Sequence, residues 1–291
     1  MYASPPTLRA RFAARVKEHL SAAIFGAGLH RVLLRGRGVI VAFHRVDDRL
    51  AGTPLGCTRA EFAAYCDFFA RHFRVIPLGE MVRRLRAGES VGGCLAITFD
   101  DGYLDNLQAA APELRARGLP ACFFVATGFV GTDRQPWWDR EFGARAWWMT
   151  WDDVRALHAQ GFEIGAHTES HADLGHTPLP DATRELSASR ARLEAELGAP
   201  VTLFSYPYGA AERISEATRE RVREAGYDCC LSAFGGTVAR GGDPFRARRA
   251  PISPWHLSPA HFGFELLFRE PRGSPSPPLP LPQTDERRRA G

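Results

Sequence analysis

The sequence contains no apolar run long enough to cross a membrane. No stretch reaches the roughly 18 consecutive apolar residues that a spanning helix needs. Near the N-terminus, arginines together with Lys17 and Glu18 interrupt the apolar residues, so a signal peptide is not indicated. We therefore expect no transmembrane segment, with the cytoplasm as the default location.

An excess of charge of one sign is also absent. The chain carries 37 basic and 33 acidic residues, which gives a net charge of +4. This balance is too even to indicate a nucleic-acid partner, and the middle of the chain has no basic cluster interleaved with aromatic residues. We expect no nucleic acid to bind.

Cysteines are few and scattered. No Cys-x-x-Cys pair is present, so a cysteine zinc site is not indicated. Most of the cysteines lie within apolar patterns, which predicts reduced residues of the core. They are Cys57, Cys66, Cys94, Cys122, Cys229 and Cys230.

Length and composition predict one main domain with two tails. The 291 residues are 45% hydrophobic, which is enough for one sizeable core. Strand and helix patterns alternate along residues 37–270, which predicts an α/β fold of the βα-barrel kind. Residues 271–291 are rich in proline and serine and are predicted to form a disordered tail.

Residues 1–36 form a separate basic segment in this division. From Leu8 to Leu34, apolar residues recur at helical spacing among basic ones. Such a helix can lie on an anionic membrane surface. A helix that packs on the main domain explains the pattern equally well, so both interpretations stay open.

The most informative stretch is a strand pattern that ends in two carboxylates. Residues 95–99 are apolar and β-prone, and Asp100, Asp101 and Gly102 follow directly. Side chains alternate along a strand, so the two aspartates can point in different directions. Adjacent carboxylates repel each other unless a cation or a donor lies between them. One of them could accept a proton while the other binds a metal.

A second apolar strand pattern ends in two histidines, His167 and His171. One helical turn would place them on the same side, close enough to share an ion. One aspartate and two histidines are a suitable ligand set for zinc or a similar first-row metal. Taken singly, each motif fits a turn or a solvated helix face, but together they favour a metal site.

These motifs resemble the polysaccharide deacetylases of carbohydrate esterase family four. The matching pieces are residues 98–102, 167–171 and 204–209, and the resemblance extends roughly from Val39 to Ile252. It implies a distorted or incomplete (β/α) barrel and a divalent metal, with Zn²⁺ preferred. It further implies that Asp100 is the catalytic base. The metal ligands that it implies are Asp101, His167 and His171.

Other positions agree with the family pattern only in part. The resemblance implies that the backbone N–H of Tyr208 helps to bind the oxyanion. The arginine that usually precedes the motif proline by two positions is replaced here by Ser205. Arg249 is a candidate to orient the base in its place, and a salt-bridged surface arginine is the alternative.

The general acid is assigned by the same resemblance. The family's late histidine motif is not evident, although His256 and His261 lie near the expected region. In a circularly rearranged branch of the family, an early Phe-His pair supplies the acid, and His44 matches that position. An ordinary histidine at a strand end is the alternative.

Tryptophans are concentrated between residues 127 and 151. Trp137 and Trp138, beside Asp139, are predicted to face the substrate, because indole rings suit the C–H faces of sugars. Tryptophans that hold a long loop against the domain are the alternative.

The function predicted from these residues is metal-dependent removal of N-acetyl groups from an N-acetylated sugar or polysaccharide. The same site could hydrolyse an O-acetyl ester or another linear amide. The missing motif arginine also leaves open a non-catalytic glycan-binding subunit.

Overall fold

The computed structural model describes residues 8–252, 256 and 258–268. The tail predicted at 271–291 lies outside the described residues. The helices are α1 (Leu8–Gly26), α2 (His30–Leu33), α3 (Arg59–His72), α4 (Leu78–Arg86), α5 (Ala111–Ala116), α6 (Trp137–Glu141), α7 (Trp151–Ala159), α8 (Leu179–Leu197), α9 (Glu216–Glu224) and α10 (Pro259–Phe268). The strands are β1 (Arg37–Phe43), β2 (Arg45–Val46), β3 (Gly56–Cys57), β4 (Arg74–Val75), β5 (Cys94–Phe99), β6 (Cys122–Val125), β7 (Glu163–Ala166), β8 (Val238–Ala239) and β9 (Ala250–Pro251).

The main sheet is mostly parallel and curls into a distorted barrel. Its strands run in the order β7-β6-β5-β1, with β8 antiparallel and β9 parallel to β1 on the other side. Beyond β7, single bridges continue the pairing through Phe204, Ser205 and Leu231 to Ala247, just before β9. Phe204 and Ser205 therefore join the sheet only through isolated bridges. The predicted α/β barrel, distorted as expected, is confirmed.

The core has apolar side chains on both faces of the sheet. Phe43, Phe99 and Phe123 stack across neighbouring strands, with ring centroids 5.3 and 4.9 Å apart. Helices cover the strands, which explains why β5 and β6 are apolar without alternation. All six cysteines are free and buried, as the sequence predicts. At the N-terminus of α3, Thr58 and Glu61 form a capping box.

The N-terminal helices pack on the barrel through one face. Phe25 is buried against α3, where its ring lies 4.8 Å from Phe68. Lys17 forms an ion pair of 2.6 Å with Glu265 of α10. Where the side chains of α1 are described, from residue 14 onward, the opposite face is exposed and includes Val16 and Leu20. Both interpretations of this segment thus retain a structural basis.

Among the described helices, none combines the length and the apolar character that a membrane crossing requires.

Candidate active site

The candidate site lies where the parallel strands end. His44 follows β1, Asp100 and Asp101 follow β5, and His167 follows β7. The strand register places Phe43 beside Phe99, so His44 and Asp100 leave the sheet at the same level. Barrel folds place their reactive groups at this end of the strands.

Asp101, His167 and His171 bring three ligand atoms within 4.8 Å of one another. The Nε2 atoms of the two histidines lie 3.3 and 3.2 Å from Oδ1 of Asp101. The angles there do not suit a hydrogen bond, and this buried oxygen has no hydrogen-bond partner among the described residues. Two nitrogens and an unsatisfied carboxylate oxygen that converge in this way fit a divalent metal with open positions. The predicted ligand residues therefore lie together.

The electrostatics of this cluster agree with such a site. Burial alone would raise the pKa of Asp101, but the imidazoles facing it hold that pKa well below its usual range. Burial lowers the pKa of His171, which favours the neutral imidazole that a metal requires. The Nδ1 atom of His167 lies 2.8 Å from the carbonyl oxygen of Ser205. With Nδ1 donating to this carbonyl, Nε2 is left free to bind an ion.

The two histidines do not lie on a helical turn, so that expectation is wrong. His171 belongs to an irregular loop after β7, and both Thr168 and His171 have left-handed backbone angles, with φ of 61° and 60°. The backbone N–H groups of Glu169 and Ser170 donate to Glu185 Oε2 at 2.9 and 2.8 Å. These donors are thus held by a buried carboxylate on α8, which replaces the helical hydrogen bonds.

Left-handed backbone is concentrated at this site. Among the described residues, the non-glycine residues with positive φ are Asp101, Thr168, His171 and Tyr208. Such angles are unfavourable for residues with a Cβ and persist where surrounding contacts enforce them. The fold therefore stores strain around the groups predicted to react.

We expect Glu185→Gln to loosen the histidine loop. An amide cannot accept from both backbone N–H groups and from the Ser170 hydroxyl as the carboxylate does. The loss should be about 1–3 kcal/mol of stability and about tenfold in zinc affinity. Thermal unfolding and zinc titration measure the two effects. The exposed Glu224→Gln change on α9 is the control, and equal behaviour of the two variants would contradict the role of Glu185.

Asp100 is held by Arg249, the candidate that the sequence offered in place of the missing arginine. Nη1 and Nη2 of Arg249 donate to Oδ1 and Oδ2 of Asp100 at 2.8 and 2.7 Å. Arg249 is fully buried, and its Nε donates to the carbonyl of Ser232 at 2.6 Å. The alternative of a surface arginine is therefore wrong. The small side chain of Ser205, also buried, occupies the motif position.

This pair sets the charge of the buried carboxylate. Burial would raise the pKa of Asp100, but the charge of Arg249, aided by His167 and His44, keeps the pKa below its ordinary value. The carboxylate is therefore ionised at neutral pH and can accept a proton. The bidentate geometry also fixes its orientation.

His44 and Tyr208 lie at the rim of the same cluster. His44 is half-buried and lies close enough to contribute electrostatically to the low pKa of both Asp100 and Asp101. The ring of Tyr208 lies 4.9 Å from that of His171. The backbone N–H of Tyr208 donates to no other described residue, so it is free to bind an oxyanion.

Trp138 is buried, so the prediction that it faces the substrate is wrong. The neighbouring Asp139 is buried as well. The Trp138 indole N–H donates to the hydroxyl of Tyr103 at 2.9 Å, and this hydroxyl donates to Asp139 at 2.7 Å. Asp139 also pairs with buried Arg45 at 2.8 Å. Trp138 packs 4.6 Å from the His171 ring and so supports a ligand. Trp137 is half-buried and remains beside the site.

The sequence analysis did not identify Arg45 and Glu185 as residues that support the site. Arg45 and Glu185 carry charges that look like ordinary surface charges in the sequence.

The two late histidines, His256 and His261, pack on each other with ring centroids 6.1 Å apart, and His261 lies on α10.

Comparison with known proteins agrees with the fold and the motifs. The family model for polysaccharide deacetylases matches residues 87–230, about half of the chain. YxkH of Bacillus subtilis (strain 168), which is named after the same family, is 26% identical over 170 residues, or 58% of this chain and 55% of that protein. A chitin deacetylase of Pestalotiopsis sp is 25% identical over 146 residues, or 49% of this chain and 42% of that protein. The chain thus spans about half the length of these curated relatives.

Solved structures share the fold at low sequence identity. IcaB from Ammonifex degensii superposes with a TM-score of 0.66 at 23% identity, covering 79% of this chain and 97% of that one. The Streptococcus pyogenes deacetylase PplD gives 0.65 at 21% identity, covering 77% and 96%. The fold is a distorted α/β barrel of the kind seen in these structures, with carboxylates and histidines that converge at the ends of its strands. The chain belongs to the polysaccharide deacetylase family.

Proposed function

We propose that this chain is a metal-dependent hydrolase that removes N-acetyl groups from an N-acetylated sugar or polysaccharide. The observation that carries the proposal is the ionised carboxylate of Asp100, fixed by Arg249 beside the convergent ligand atoms of Asp101, His167 and His171. Membership in the family supports deacetylation of a polysaccharide.

Each residue then has a defined task. Asp101, His167 and His171 would hold a divalent ion, which when bound would polarise the acetyl carbonyl and lower the pKa of water. Asp100 accepts the proton of the attacking water. The N–H of Tyr208 donates to the oxyanion that develops. His44 donates a proton to the departing amine, since an unprotonated amine is a poor leaving group.

We expect His44→Gln to lower turnover by about 10²-fold while zinc remains bound. This decrease lies at the lower end of the range for the loss of a general acid. His44 is only half-buried, so water can reach its position and donate the proton instead. Steady-state kinetics and metal analysis measure it. His158→Gln, on the exposed side of α7, is the control. Unchanged turnover in His44→Gln would remove the acid role.

Acetate release tests the proposed reaction directly. N-acetylglucosamine oligomers and O-acetylated sugars are supplied to the enzyme as purified, after chelation and after zinc is restored. We expect acetate from the N-acetyl substrates, lost on chelation and regained with zinc. Acetate from the O-acetyl substrates alone would favour the esterase. Bound zinc without acetate from any substrate would favour the glycan-binding subunit, which the presence of Arg249 beside Asp100 disfavours.

Peripheral contact of residues 8–34 with an anionic membrane is part of the proposal. Exposed apolar residues on this segment support it, among them Val16, Leu20 and Val32. The cytoplasmic location remains a prediction. Because Phe25 belongs to the core, the contact should be tested with point substitutions and not by deletion of the segment.

A further inference from the structure

A cationic cavity of about 530 Å³ lies at the end of the barrel opposite the candidate active site. It is bordered by Gly36 before β1, by Arg74 at the start of β4, and by Gly93 before β5. These are the strand starts, whereas Asp100 and its neighbours follow the strand ends. The lining side chains include Arg31, Arg35, Arg71, Arg74, His30 and His72.

Among the residues that the structure describes, no carboxylate lines this cavity. Across the described part of the chain, none of its arginines lies within 4.0 Å of an acidic group. Some surface arginines elsewhere pair with acids, as Arg83 does with Glu89 at 2.6 Å, whereas Arg115 donates only to the side-chain amide of Gln160 among the described residues. The arginines of the cavity therefore have no ion-pair partner among the described residues.

The positive charge of these arginines affects the pKa of a histidine in the cavity. Burial lowers the pKa of His72, and the nearby positive charges of His30, Arg71 and Arg31 lower it further. A group that is disfavoured in its cationic form by several neighbours indicates a positive potential. An anion in the cavity would be stabilised by the same potential.

Exposed apolar side chains lie directly beside the arginines. Leu29, Val32 and Leu33 are 53%, 68% and 49% exposed and flank Arg31 in and next to the one-turn helix α2. Guanidinium groups suit phosphate oxygens, to which they donate in pairs. Arginines interleaved with exposed apolar residues are typical of a surface that meets anionic lipid.

We propose that this cavity binds the phosphate of an anionic lipid headgroup, with Leu29, Val32 and Leu33 in contact with the acyl region. The inference rests on the membrane contact proposed above and names its binding site. It also orients the protein: the strand starts face the bilayer, and the candidate active site faces away from it.

Vesicle flotation tests the headgroup assignment. Phosphatidylcholine vesicles carry either phosphatidate or oleate, adjusted to the same surface charge, so that only the first presents a phosphate monoester. We expect the full chain to bind phosphatidate vesicles more tightly than oleate vesicles. Arg31→Gln/Arg35→Gln should weaken that binding by about 30-fold. Arg115→Gln/Arg184→Gln removes the same charge elsewhere on the surface and should change it less than about twofold.

Glycerol 3-phosphate, titrated by calorimetry, separates a lipid from a free phosphate. Both ligands should bind the wild type, and both should be weakened in the cavity variant. Glycerol 3-phosphate binding without vesicle binding would overturn the lipid assignment. Equal binding to both vesicle types by all variants would overturn the cavity as the binding site. The proposed membrane contact would still be supported in that case. Binding to neither would overturn both, whereas acetate release tests the hydrolase separately.

Discussion

Replacement of Arg249 by methionine is expected to lower turnover by about 10²-fold and stability by about 3–5 kcal/mol. The loss of stability follows because Asp100, fully buried, would lose both guanidinium hydrogen bonds. Turnover should fall because the carboxylate loses its orientation and much of its ionised population. Arg248→Met, an exposed neighbour in the sequence, is the control and should behave as the wild type.

The pH dependence of kcat/KM should shift in a defined direction when Arg249 is replaced. In the wild type, Arg249 keeps the pKa of Asp100 low, so the base is ionised throughout the neutral range. In Arg249→Met that charge is absent, so burial raises the pKa of Asp100. Because only the carboxylate can accept a proton, the acidic limb of the kcat/KM profile should move to higher pH. A profile that stays in place after Arg249→Met would contradict the assignment.

The family arrangement offers a rescue. Ser205 occupies the position of the usual arginine and is buried, with its carbonyl 2.8 Å from His167 Nδ1. The double variant Ser205→Arg/Arg249→Ser would return the guanidinium to the family's strand, into the space vacated by Arg249. We expect partial recovery of turnover relative to Arg249→Ser alone.

The second large effect should separate the two adjacent aspartates. Asp100→Asn is expected to lower turnover by about 10³-fold while zinc binding is kept. Asp101→Asn should instead lose zinc, because Asp101 contributes the oxygen at which both imidazoles converge. Zinc analysis and acetate release, measured on the same preparations, distinguish the two.

Stability must be followed in these variants, because Asp100→Asn leaves Arg249 buried without its charge partner. Retained zinc in Asp100→Asn would show that the site is still folded. Loss of zinc in both variants, or in neither, would contradict the division of tasks between base and ligand.

The position of the site could be predicted because strand patterns are local. Apolar residues up to Phe99 and Ala166 mark where the strands end, and parallel strands bring their ends together. The capping box at Thr58 and the left-handed Gly198 after α8 are equally local signals.

The remaining features depend on long-range contacts. Arg249 and Asp100 are separated by 149 positions, so the sequence could offer Arg249 as a candidate but could not establish the pair. The histidine loop departs from a helix because Glu185, on another element, binds its N–H groups. Trp138 is buried because Arg45, Tyr103 and Asp139 form a network around it.

The origin of Arg249 in the last barrel segment has a consequence for biosynthesis. The chain emerges from the ribosome N-terminus first, and its domains fold as units. Asp100, Asp101 and both histidines are translated well before Arg249, which immediately precedes β9. Until that segment docks beside β1, Asp100 lacks the guanidinium that pairs with it in the complete fold. We therefore expect ribosome-bound chains that stop short of β9 to bind zinc weakly or not at all and to release no acetate, so that activity begins only when the barrel closes.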